Sequence, residues 1–160
     1  MIHVENLYPN PLFVGSESSS NGVKITYGGD GTLTLTGIAK GANTVYYQHN
    51  VSLNSRSAGV PLILRATVVC SHTPYQGWPL IAVVDDTGKQ KAASSTTSGT
   101  YTLQFTLPAD WFMIRFQGSD VVDSTTVFSN VGVYRLDDWT AMQKHGITWF
   151  NSTDYPLFKQ

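Results

Sequence analysis

Apolar and polar residues alternate with a period of two in several short runs of this chain. Val23-Lys24-Ile25-Thr26-Tyr27, Thr32-Leu33-Thr34-Leu35-Thr36 and Tyr101-Thr102-Leu103-Gln104-Phe105-Thr106-Leu107 each send apolar side chains to one face and polar ones to the other. That pattern predicts half-buried antiparallel strands. Between the first two runs, Gly28-Gly29-Asp30-Gly31 supplies the positive φ angles of a tight hairpin. Further strands are predicted over 44–53, 61–71, 79–85, 111–117 and 126–135, each bounded by Gly, Asn, Asp, Ser or Pro. Short, closely spaced strands without a long helical pattern predict an all-β fold, an antiparallel jelly-roll β-sandwich.

One short helix is predicted near the C-terminus. Asp137 or Asp138 can cap it, Leu136, Trp139 and Met142 share one side, Lys144 and His145 suit its negative end, and Gly146 stops it. Residues 147–150 then read as a short extended piece. The expected organisation is a sandwich over 1–136 and a helix with an aromatic docking segment of the same domain over 137–160. That segment crowds Trp139, Trp149, Phe150, Tyr155, Leu157 and Phe158 into about 20 residues, a density of apolar surface that a disordered tail does not carry. Either it caps this chain's own sandwich, or part of it inserts into a neighbouring subunit.

Composition narrows the function classes. The 160 residues suffice for one domain with a core, and the formal charge of −1 lacks the basic field that nucleic acid or an anionic membrane demands. No run approaches the roughly 20 apolar residues of a membrane span. Met1-Ile2-His3-Val4-Glu5 has neither the basic start nor the apolar run of a signal peptide, so the chain is expected to begin with its domain. The lone Cys70 lies in an apolar run and reads as an inert, buried thiol.

Catalytic patterns are not found. The four histidines are scattered, no serine sits in a nucleophile elbow, and most carboxylates fall in turns or caps, where Asp serves the backbone. Asp85-Asp86-Thr87-Gly88 reads as a turn rather than a protease motif, because no second copy exists. The acidic loops at Asp85-Asp86 and at 120–123 offer oxygens that suit calcium, but neither has an EF-hand pattern, and no metal or cofactor is expected. The chain is read as a binder and not as an enzyme.

Aromatic placement stands out instead. Tyr75 and Trp78 share the proline-bounded segment His72-Thr73-Pro74-Tyr75-Gln76-Gly77-Trp78-Pro79, where rings held on a rigid loop can stack on sugars. The alternative is that Trp78 folds back over the core and Tyr75 is ordinary surface. Tyr46 and Tyr47 are adjacent on a predicted strand and must point to opposite faces.

Asn6-Leu7-Tyr8-Pro9-Asn10-Pro11-Leu12-Phe13 resembles the start of the carbohydrate-binding-module-like jelly rolls found in bacteriophage tail proteins. The run from Gly99 to Ala109, with Ile114-Arg115-Phe116 and Val127-Phe128-Ser129-Asn130-Val131-Gly132-Val133, is similar to the last strands of the same domains. The ending Asp138-Trp139-Thr140-Ala141-Met142-Gln143-Lys144-His145-Gly146-Ile147-Thr148-Trp149-Phe150-Asn151 resembles the closing element, Gly-Val-Thr-Trp-Phe-Asp-Gly-Asp, of minor tail and other virion proteins from phages of actinobacteria. Asn151-Ser152-Thr153-Asp154 departs from that element where it has Asp-Gly-Asp. The resemblance implies a virion structural or accessory protein, in a tail or decorating a capsid, that binds other virion proteins and contacts host cell-surface glycan; a homo-oligomer is expected because a small sandwich leaves strand edges that assembly can cover. It carries no catalytic residues across. The alternative is a free-standing carbohydrate-binding module of a bacterial glycan-degrading system.

Overall fold

A computed structural model describes residues 2–40, 45–151 and 154–157. Its strands are β1 (Ile2–Glu5), β2 (Ser18–Ser20), β3 (Val23–Tyr27), β4 (Thr32–Gly37), β5 (Tyr46–Ser52), β6 (Leu62–Cys70), β7 (Ile81–Val84), β8 (Gln90–Ala93), β9 (Gly99–Phe105), β10 (Trp111–Gln117), β11 (Thr125–Arg135) and β12 (Asp154–Leu157), with one helix, α1 (Leu136–Lys144). A six-stranded sheet runs β2-β3-β4-β11-β6-β9 and a four-stranded sheet runs β5-β10-β7-β8. Every pairing is antiparallel. The two sheets pack face to face as a jelly-roll β-sandwich, and β1 pairs with β12 in a separate ribbon.

Alternation builds the core. From the four-stranded sheet come Val51, Ile81, Val83, Phe112, Ile114 and Phe116, and from the other Val23, Ile25, Leu33, Leu35, Leu62, Leu64, Val68 and Phe128, all buried. Phe116 is the hub: its ring lies 5.0 Å from Phe128, 5.8 Å from Tyr47, 6.0 Å from Phe13 and 6.4 Å from Tyr8. The predicted hairpin forms between β3 and β4, with Gly29 and Gly31 at φ of 72° and 97° and Asp30 accepting from the Thr32 amide.

The opening motif has a structural account. Asn6 is 1% exposed, and its Oδ1 accepts from the amides of Tyr8 (3.1 Å) and Val133 (3.0 Å), pinning the N-terminal segment to β11. Leu7, Tyr8 and Phe13 follow it into the core.

A second, smaller core lies beyond the sandwich. β11 carries a bulge between Ser129 and Gly132, and an extra residue reverses which side chains face inward. Phe128 before the bulge, and Val131 and Val133 after it, all face the main core. Tyr134 is thereby sent to the opposite side, where it meets Val4, Ile63, Trp139, Met142 and Phe150. Its ring stacks on Trp139 at 5.9 Å and 22°.

Several expectations are corrected in detail. The helix begins at Leu136, with Arg135 at its N-cap and no side-chain cap bond, so Asp137 and Asp138 lie inside the first turn, where their charge still favours the positive end. Its end follows expectation: Gly146 takes φ of 70° and donates to the Gln143 carbonyl, while Ile147 donates to that of Met142. Residues 147–150 form no strand. Cys70 is half-buried, its Sγ 3.4 Å from Ser98 Oγ. Strands β1, β2, β8 and β12 were not anticipated.

Trp139 and Phe150 are 6% and 5% exposed within this second core, so their surface is covered by the chain itself. Trp139→Ala is therefore expected to destabilise the isolated protein by about 3 kcal/mol, read as a lower urea midpoint. An unchanged midpoint would show that α1 adds nothing to the fold.

Candidate functional site

The four-stranded sheet turns one face to the core and leaves the other uncovered by any strand among the described residues. Strand register fixes what stands on that outer face. β10 contributes Trp111, Met113, Arg115 and Gln117; opposite them β5 places Ser52, Asn50, Gln48 and Tyr46. On the other flank, Val84 and Ala82 of β7 lie beside Met113 and Arg115, followed by Gln90 and Ala93 of β8. The face is aromatic and amide-rich, and none of these positions is acidic.

Trp78 reaches this face from the loop before β7. With Pro79, Ala82, Gln90, Arg115 and Gln117 it lines a depression of about 250 Å³. The Arg115 guanidinium carbon lies 5.5 Å from the Trp78 ring centre and 5.0 Å from that of Tyr46, so the cation contacts both rings. Its Nε donates to Gln48 Oε1 at 3.0 Å, and Gln48 Nε2 approaches Met113 Sδ at 3.6 Å. Gln117 is fully buried, with Nε2 bound to the Val45 carbonyl at 2.8 Å. Half-buried Trp111 stands at the far end of the same row, roughly 13 Å along the strand from Arg115.

The structure separates the two rings proposed for sugar stacking. Trp78 lines the depression, whereas Tyr75 occupies a 3-10 turn, is half-buried against the main core and does not line it. Tyr46 and Tyr47 do point oppositely, with Tyr47 on the core side, where burial and the Tyr27 hydroxyl 3.0 Å away push its own hydroxyl's pKa upward. Of the C-terminal residues, Trp149 is half-buried and donates from Nε1 to the Val131 carbonyl at 3.0 Å. The backbone of Tyr155 pairs with Val4 and that of Leu157 with Ile2. Phe158 lies outside the described residues. Sequence reasoning missed Tyr46 and Arg115 as site residues, although the strand predicted over 111–117 puts Arg115 on the face opposite to Phe116, and the strand pairing brings Tyr46 beside it.

A larger hollow of about 380 Å³ lies between the start of α1 and the segment before β6. Its Arg135 is engaged by Asp137 at 3.0 Å and by Asp138 at 3.6 Å, which leaves that guanidinium little to offer a ligand. Among the described residues no three of His, Cys, Asp or Glu are grouped as a metal site. The Asp85 turn is a backbone device: Oδ1 accepts from Thr87 N, Thr87 Oγ1 and Lys89 N at 2.9, 2.6 and 2.8 Å.

No protein-family model matches the sequence, and no curated protein matches it. Among solved structures, a CBM4 carbohydrate-binding module is similar with a TM-score of 0.50 and 17% identity, over 75% of this chain and 77% of its own. The apo form of BiXyn10A CBM1 is similar with a TM-score of 0.51 and 13% identity, over 84% of this chain and 96% of its own. At these identities the likeness is one of fold: the chain has the sandwich of carbohydrate-binding modules.

The Asp85 bonds, with the Thr87 hydroxyl first among them, hold its carboxyl down to about 2. A carboxyl lower in the folded state stabilises fully above its unfolded pKa of about 3.9, and that stability is lost as pH falls through the folded value. Between about pH 4 and pH 2 the unfolding midpoint of the native chain should fall more steeply than that of Asp85→Asn. Parallel curves would remove the carboxylate from the acid response.

Proposed function

We propose that this chain is a non-catalytic carbohydrate-binding module whose ligand lies across the outer face of the four-stranded sheet, with its anchor at Trp78. The observation that carries the reading is the cluster itself: Trp78, Arg115 and Tyr46 stack beside a depression floored by amide and apolar groups. Sugars present apolar ring faces edged with hydroxyls, and such a face matches both properties. The sandwich shared with carbohydrate-binding modules is consistent with this use. The row from Trp111 to Trp78 suits an extended oligosaccharide better than a single sugar.

The setting we propose is the virion of a bacteriophage, in a tail or on a capsid, where the module contacts host-surface glycan and neighbouring virion subunits. This part rests on the resemblance of both ends to virion proteins. Repetition in a symmetric assembly, including self-association, turns weak single-site binding into firm attachment. If the chain is absent from purified virions while glycan binding persists, the free-standing module is the better setting. Mass spectrometry of virions decides between them.

Ring stacking contributes about 0.5–1.5 kcal/mol beyond area burial, so Trp78→Ala should weaken binding to a host cell-wall glycan about 10-fold in titration calorimetry. Its unfolding midpoint should stay near that of the native chain. Tyr75→Ala is expected to do the reverse, costing stability and sparing affinity. Undiminished binding by folded Trp78→Ala would overturn this placement of the site.

A further inference from the structure

The chemistry of the depression goes further than glycan binding in general. Arg115 is held on three sides, by the Tyr46 ring, the Trp78 ring and the Gln48 carbonyl oxygen. Among the described residues no carboxylate pairs with it, and none of them hydrogen-bonds its terminal Nη groups. A guanidinium already fixed in one rotamer and flanked by rings loses little entropy when it accepts an anion. Its two Nη groups present a fork that matches the two oxygens of a carboxylate.

Gln117 supplies an independent sign. It is fully buried and lines the depression; its Nε2 is spent on the Val45 carbonyl, but its Oε1 has no partner among the described residues. A buried acceptor left without a donor is costly, and a ligand hydroxyl reaching the floor would satisfy it. Acceptor, cation and ring face together define one ligand residue.

We propose that the depression selects a sugar residue bearing a carboxylate, of the uronate type, with the carboxylate on the Arg115 Nη groups, a hydroxyl donating to Gln117 Oε1 and the ring against Trp78. The proposal rests on the carbohydrate-binding reading above and names its ligand class.

The test compares oligogalacturonate and a hyaluronan oligomer with neutral probes, methyl-esterified oligogalacturonate and cellohexaose, using the whole chain in titration calorimetry. Acidic probes are expected to bind about 10-fold or more tightly than neutral ones, because charge-assisted pairs are roughly twice as strong as neutral hydrogen bonds. That preference should vanish in Arg115→Gln, recover only in part in Arg115→Lys, and shrink as salt rises from about 50 to about 500 mM. Gln117→Leu should weaken acidic probes without abolishing the preference. Unfolding midpoints of all variants are measured alongside, and if Arg115→Gln unfolds, Arg115→Lys and the esterified probe decide. Equal binding of acidic and neutral probes, with both lost in Trp78→Ala, overturns the acidic-sugar proposal and leaves the carbohydrate reading standing. Binding to none of the probes counts against both.

Discussion

Adjacent side chains on a strand leave it in opposite directions, and along β10 this constraint joins the interior to the outer surface. Phe112, Ile114 and Phe116 go inward, while Trp111, Met113 and Arg115 go outward. Phe116 is surrounded by four rings. A slip of one residue would bury the guanidinium and expose the ring, so the packing of the core dictates where Arg115 stands. The site inherits its rigidity from the aromatic contacts beneath it.

The bulge in β11 acts on a second boundary. By reversing which side chains face inward, it lets one strand serve the main core through Val131 and Val133 and the smaller core through Tyr134. Helix α1, too short to be stable alone, is then held by Trp139 and Met142 against that ring. This cluster shares no residue with the depression at Trp78, so the stability of the closing segment and the chemistry of the outer face are separable.

How much of this was legible follows from where polarity contrasts exist. Alternation over 23–27 predicts β3 to the residue, because one of its faces is buried and the other only partly so, and the turn-bounded run over 111–117 coincides with β10. β2 consists of three exposed serines and has no such contrast. β1 and β12 are defined by one another, across almost the whole chain, and local pattern cannot report that pairing. The helix is legible through its Gly146 stop, less so at its start, where the expected Asp cap is replaced by extended Arg135. At the site, Trp78 is visible as a ring on a rigid loop. Its partnership with Arg115 and Tyr46 depends on strand register and was not, and Tyr75, its sequence neighbour, is turned to the core.

The β1–β12 ribbon sets Ile2 opposite Leu157, so the two ends of the described chain leave the molecule side by side. Tension applied through both ends would load the ribbon first, peeling its backbone pairs one after another instead of shearing them together. The sandwich bearing Trp78 and Arg115 lies outside that first line of force. A chain held at both ends in this way would lengthen under load before the outer face of its four-stranded sheet is disturbed.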